Sequence, residues 1–368
     1  MNTRSIAKDE AHRNNPLLEA GAMLSHVVQF TSAKEFLFVA CVSRAWRASW
    51  LFEGCRCQTS LRRASESMSH LSWARDSGCP WGEETCRYIA EEGHLETLKW
   101  ARKNGCPWDE WSCSRAALGG HLDVLKWARE NGCPWDEWTC ARAAKRGHLE
   151  LLKWATENGC PWDELTCSEA ASQGHLDVLR WARENGCPWY LWTCACAAGG
   201  GHLEVLKWAR ESGCPWDEET CLWAAAGGRM EVLRWAWENG CPWDEEICSQ
   251  AAWGGHLDVL KWAREDGCPW NLWTCSCAAS EGRLEVLKWA RENGCPWNRG
   301  TCSRAAEGGH LEILKWAREN GCPGDTRTIV LAARQVHTEI VPWARANGVQ
   351  SISNILRSRS QDRELQAH

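Results

Sequence analysis

The sequence contains no long apolar run: the longest, Phe36 to Val42 (FLFVACV), falls far short of the roughly 20 residues that a bilayer-spanning helix needs. Nor does the opening, MNTRSIAKDEAHRNNP, hold the apolar centre of a secretory signal; it carries Asp9 and Glu10 instead. A basic surplus is missing too. With 42 Lys and Arg against 48 Asp and Glu the formal net charge is -6, which gives no general attraction to polyanions. These absences predict an intracellular chain, cytoplasmic or nuclear, with neither a nucleic-acid nor a membrane partner.

What is abundant is cysteine, 24 residues, and repetition. Cysteine at this density marks a disulfide framework in a short exported chain, but this chain is neither short nor equipped for export, so free thiols are expected. The cysteine of a Gly-Cys-Pro triplet recurs at 79, 106, 133, 160, 187, 214, 241, 268, 295 and 322, every 27 residues, which defines ten units. The tryptophan of Trp-Ala keeps the same spacing from Trp73 to Trp343, so the array spans 64 to 348. Stacked units place equivalent cysteines roughly 8–10 Å apart, one helix-packing step, beyond the roughly 7 Å between Cα atoms that a disulfide spans. A pair within one unit, such as Cys79 with Cys86, stays open.

Each unit reads as two short helices. In "GHLDVLKWARENGCPWDEWTC", residues 120 to 140, Leu122, Val124, Leu125, Trp127 and Ala128 form a broad apolar side, opposite Asp123, Lys126, Arg129 and Glu130. Asn131-Gly132-Cys133-Pro134 ends that helix, with glycine for the left-handed position and proline just beyond. Asp136 and Glu137 open the next helix, where carboxylates accept orphan N–H groups and oppose the dipole. Helices this short are marginal alone, since about 12–15 residues are needed in water, so each unit must lean on its neighbours. The predicted fold class is all-α: a solenoid of stacked helix-turn-helix units, on the order of 100 Å long from the thickness of a helix layer.

Thr139, Ala143-Ala144, Gly147-His148, Leu152 and Gly159 resemble, in order and offset, the threonine, paired alanines, Gly-His and later Leu and Gly of the ankyrin repeat. The usual ankyrin unit runs to about 33 residues and places a β-hairpin before the next threonine. Here only Gly-Cys-Pro-Trp-Asp-Glu-Trp fills that interval, so the hairpin is expected to be missing. Leucine-rich repeats also allow this period, but their L-x-x-L-x-L ladder is absent. The resemblance implies that the first helix of each unit lines a concave face.

Comparing unit with unit separates two faces of that helix. Counting from the Gly-Cys-Pro cysteine, offsets seven, ten and eleven are nearly constant and small: Cys113, Ala116 and Ala117, then Cys140, Ala143 and Ala144. Spaced i, i+3, i+4, they share a face, and with the leucines and Trp of the second helix they are the expected core. Offsets five, eight, nine and twelve vary and share another face. They supply Glu84, Arg87 and Tyr88; Trp111, Ser114 and Arg115; Trp138 and Arg142; Leu165 and Glu169; Trp192 and Cys196; Trp223; Gln250 and Trp253; Trp273 and Cys277; and Arg304. Aromatic residues and Arg are enriched in interface hot spots, and a run of exposed tryptophans is unlike ordinary solvated surface. This stripe is the candidate partner-binding surface; alternatively its large residues cover the junction that the missing hairpin vacates.

Nothing points to catalysis or to a cofactor. Cys-x6-Cys with a histidine such as His94 or His121 does not match the spacing of familiar zinc sites, and the closer pairs Cys55-Arg56-Cys57, Cys194-Ala195-Cys196 and Cys275-Ser276-Cys277 do not recur per unit. Packed thiols are the expectation, with no metal. Histidines at 94, 121, 148, 175, 202, 256, 310 and 337 open second helices, and Arg229 and Arg283 replace two of them, which fits a hydrogen-bonding role. Asp109-Glu110 and Asp217-Glu218 sit where helix-start carboxylates belong, and Gly199-Gly200-Gly201 follows no phosphate-loop pattern.

Residues 1–63 differ from the array. The string LSHVVQFTSAKEFLFVACVSRAWRASW, 24 to 50, resembles an F-box-like segment through Val42-Ser43 and Trp46-Arg47, although the usual opening Leu-Pro is missing. That resemblance implies docking of a ubiquitin-ligase adaptor through Leu24, Val28, Phe36, Val39, Val42 and Trp46; an end cap for the solenoid is the alternative. At the other end Gly324 and Pro342 mark a degraded last unit before a charged tail, 349–368. The predicted function is a non-enzymatic scaffold that binds a protein or peptide. The alternatives are a substrate receptor of a ubiquitin ligase and thiol-based metal binding.

Overall fold

The computed structural model describes residues 68–76, 81–324, 326–335, 337 and 339–347. Among the described residues every regular element is an α-helix and no strand is present. Between the second helix Leu122–Glu130 and the next first helix Glu137–Lys145 the chain makes only the turn 131–136, where an ankyrin repeat of ordinary length carries its hairpin. By packing, the chain divides into two compact units, Met1–Pro161 and Trp162–His368.

In the first, the first helices Glu83–Glu91, Glu110–Gly119 and Glu137–Lys145 pack side by side, each against its own second helix: Leu95–Lys103, Leu122–Glu130 and Leu149–Glu157. In the second, Glu164–Ser172, Leu191–Gly200, Glu218–Ala226, Glu246–Gly254, Leu272–Ser280, Arg299–Glu307 and Thr326–Arg334 pack in that order. Each compact unit is thus a stack of helix pairs, an all-α ankyrin-like solenoid. The close approach of first helices follows from their small buried residues: Cys113, Ala116 and Ala117, like Cys140, Ala143 and Ala144, have no exposed surface. Second helices add Val124 and Leu125, Leu152, Val178 and Leu179, and Leu206, all inside. Burying one such side chain is worth about 1.5–3 kcal/mol, and the repeat supplies the gain again in every layer.

The tryptophan of Trp-Ala does not belong to this core, contrary to the expectation from sequence. Trp127 and Trp154 are only half-buried. On a helix whose buried positions are Val124, Leu125 and Ala128, Trp127 falls at the margin of the inward arc. It meets instead the tryptophan after the preceding Cys-Pro, Trp108, edge to face at 5.7 Å; Trp135–Trp154 and Trp189–Trp208 repeat the pair at 6.0 and 5.8 Å.

The ends of the helices are written as predicted. Gly132 at φ +81 lets its N–H reach Arg129 O and that of Cys133 reach Ala128 O, at 3.1 and 2.9 Å, which satisfies the last carbonyls. The Arg129 guanidinium donates to Cys133 O and lies 4.0 Å from the Trp135 ring centre, clamping the turn. At first-helix starts Asp163 Oδ1 accepts from Leu165 N at 3.0 Å and Asp217 Oδ1 from Glu219 N at 3.2 Å.

Candidate functional site

The repeated polar residues serve the stack. His121 Nε2 lies 3.0 Å from Glu91 O, at the end of the preceding unit's first helix, and His202, His256, His310 and His337 repeat this on Ser172, Ala226, Ser280 and Glu307. A carbonyl only accepts, so Nε2 carries the proton, and the ring caps a helix end left open by geometry. Arg229 Nε does the same to Gly199 O at 3.0 Å, and Arg283 Nε to Trp253 O at 3.4 Å, which explains the exchange of His for Arg. Gly93, at φ +79, faces the His121 ring so closely that a Cβ would come within 2.4 Å of it.

The cysteines of the described residues are free thiols. Stacking brings together partners that spacing did not suggest, 20 residues apart and in neighbouring units. Cys86 Sγ reaches Cys106 O at 3.9 Å, Cys248 reaches Cys268 O at 4.0 Å and Cys302 reaches Cys322 O at 3.9 Å. The Gly-Cys-Pro thiol in turn points to the N-cap carbonyl of the preceding first helix, Cys106 Sγ to Gly82 O and Cys133 Sγ to Asp109 O, both at 3.4 Å. Hydrogen bonding to the neighbouring thiol, then burial, pushes Cys86, Cys113 and Cys194 well above the ordinary thiol range, while the same bonds pull the partner thiols Cys106 and Cys214 below it. Cys79 and Cys55-Arg56-Cys57 lie outside the described residues, within which no cluster of three or more His, Cys, Asp or Glu is arranged to hold a metal ion.

The variable stripe divides. Offset eight does not face outward: Ser114, Ala141 and Ala195 are fully buried and Leu222 is nearly so. A first helix inside either stack, such as Glu110–Gly119, is flanked by two others, so its inward arc is wide enough to take in the position next to the constant cysteine. Arg87, held between Asp109 and Glu84, and Val330 of the last unit are partly exposed at that offset.

Offsets five, nine and twelve do reach the surface. In the first compact unit Trp111 and Trp138 stack at 6.4 Å, with the Arg142 guanidinium 5.3 and 5.9 Å from their rings, and Arg115 pairs with Glu91 at 2.7 Å. Tyr88 is half-buried and Glu84 exposed. In the second, Trp192 and Trp223 meet edge to face at 6.1 Å and Arg304 lies 5.5 Å from Trp273. Trp192, Trp223, Trp253 and Trp273 are 48, 47, 47 and 56 % exposed, a level that sets them apart from the half-buried tryptophan pairs of the turns. Leu165, Glu169, Gln250, Cys196 and Cys277 occupy the same offsets, half-buried. The structure also shows Arg299 and Arg327 beside Trp273, lining a cleft with Gly300; the glycine at offset five was the sequence signal for it.

These geometric features, paired helices, Gly-His turns and stacked first helices, define a helical repeat protein among the described residues. The family model described as ankyrin repeats (many copies) matches residues 86–129, 113–156 and 167–210. Among solved structures, the human ASB11 ankyrin repeat domain is similar at 19 % identity, over 43 % of this chain and 84 % of that one, with a TM-score of 0.36. A search of curated proteins gives no match. Ankyrin repeats generally mediate protein–protein interaction. No helix of the described residues is long and apolar enough to cross a membrane. The F-box-like stretch 24–50, with Leu24, Val28, Phe36, Val39, Val42 and Trp46, lies outside the described residues.

Proposed function

We propose that the chain is a non-enzymatic scaffold of the cytoplasm or nucleus that binds a protein or peptide through the outward positions of its first helices. One observation carries this: on helices whose inner face is held to Ala and Cys, the outer face bears Trp192, Trp223, Trp253 and Trp273 with about half of each side chain in water. Large apolar surface of that kind is costly to leave in water, and it is the residue type that dominates interface energetics. Trp111, Trp138, Arg115 and Arg142 supply the corresponding surface of the first compact unit. The array 64–348 would then be the binding part of the chain, with 1–63 and 349–368 flanking it.

The test compares partners labelled by proximity in the native cell for the full chain, for Trp111→Ala/Trp138→Ala and for Trp192→Ala/Trp273→Ala. At least one partner should be lost with helicity unchanged. Retention of every partner by both variants removes the reading. A second reading rests on Val42-Ser43 and Trp46-Arg47: docking of a ubiquitin-ligase adaptor, which makes the chain a substrate receptor. It requires that the full chain capture the adaptor subunit and that Trp46→Ala release it.

A further inference from the structure

One offset-five position of the second compact unit carries no side chain. Leu165, Trp192, Glu219, Glu246, Trp273 and Arg327 stand at that offset, and beside them Gly300. Gly300 sits just inside helix Arg299–Glu307, its N–H bonded to Asn298 Oδ1 at 2.7 Å. It is not among the glycines with positive φ, so no left-handed turn requires it. Glycine inside a helix weakens that helix, and what it leaves here is room.

A cleft of about 700 Å³ opens at the gap. Leu272 and Trp273 line it from one helix, Arg299, Arg304 and Glu307 from the next, and Arg327 from the one after. A smaller cleft of about 270 Å³ shares Arg304 and Glu307 and reaches Trp253. The charge runs against the molecule: three guanidinium groups face one carboxylate in the larger cleft, while the whole chain carries -6. Arg304 stands over the Trp273 ring, so cation and apolar face present themselves together.

We propose that this groove is a subsite for an acidic peptide segment of a protein partner, an Asp or Glu carboxylate held by Arg304 and Arg327 and a neighbouring apolar side chain laid on Trp273. It rests on the reading of the first-helix face as an interaction surface and names what that face selects. Guanidinium is permanently charged and matches a carboxylate with two parallel hydrogen bonds, and an indole offers a large rigid apolar face. Stacked helices lie about 8–10 Å apart and an extended chain advances about 3.3 Å per residue, so one layer corresponds to about three residues. The segment therefore carries its apolar residue two to four positions from its acidic one.

The experiment selects a random octapeptide library on the immobilised full chain, with Gly300→Trp and Arg327→Glu as parallel baits. Gly300→Trp places at this offset the indole that Trp192 and Trp273 carry and fills the cleft, although its Cβ would come within 2.8 Å of the Asn298 cap oxygen; Arg304→Ala, which leaves the helix start untouched, serves if that variant loses helicity. Expected is enrichment of peptides with Asp or Glu and a spaced apolar residue, bound about tenfold or more weakly by the variants and weakened by added salt. Enrichment of basic peptides, or equal binding of acidic ones by the chain and its folded variants, overturns the subsite. Failure to enrich any peptide also overturns it. The wider reading is judged separately, by the proximity-labelled partners of the Trp111→Ala/Trp138→Ala variant, which leaves the groove intact.

Discussion

Leu206 is fully buried, while Trp208, two positions on, is half-buried against Trp189. The smaller side chain therefore carries more of the stability. Leu206→Ala should lose about 2–5 kcal/mol and lower the urea midpoint well below that of Trp208→Ala, which removes a larger residue from a partly solvated pair. The thiols make a second prediction. Burial raises the Cys277 thiol in the folded chain, whereas in the unfolded chain it ionises from its ordinary value of 9.0. Above that value the unfolded state has shed protons that the folded state keeps, so stability falls as pH rises past it and is fully present below. Urea midpoints at neutral pH and above pH 9 should show the decline, and native alkylation mapped by mass should reach Cys196 and Cys277 before the fully buried thiols.

On the scale of elements, the fold depends on caps that cross from one repeat to the next. The His202 ring bonds Ser172 O, 30 residues earlier in sequence, and Arg229 meets Gly199 O in the same way. A substitution that keeps a donor should be tolerated, and one that removes it should not. His202→Arg should hold its thermal midpoint near that of the parent chain, while His202→Ala should lose about 1 kcal/mol or somewhat more, the cost of leaving a partly buried carbonyl unpaired. Equal losses for the two would mean that ring packing, rather than the hydrogen bond, is what counts. The same tolerance was visible beforehand in the Arg229 and Arg283 replacements, so the role of the histidines was legible in sequence. Their partner was not, because a hydrogen bond to a carbonyl one repeat away leaves no mark on the residue types at either end.

Across the molecule, the stability of a stack is a sum of nearest-neighbour terms. Deleting 218–244, one full period within the second compact unit, leaves the constant faces in register and rejoins helices of the same type. Such a chain should keep its helicity per residue by circular dichroism with only a modest drop in thermal midpoint. Removal of half a period from the same place should abolish cooperative melting, because it sets first helices against second helices.

By itself the sequence determined the period, the two helices per unit, their caps and the small-residue face that lets first helices touch, since all of these depend on neighbours within one repeat or on comparing repeats. Only the tertiary structure decided how far the inside of each helix extends. Ser114 and its equivalents went inward and Trp127 and its equivalents to the half-buried margin, against their place in the sequence pattern, because burial is set by how many neighbours flank a helix and a nine-residue helix does not record that number. The thiol pairs and the cleft at Gly300 have the same origin: they join residues of adjacent repeats, and contact across a stack depends on how layers meet, which no single repeat contains.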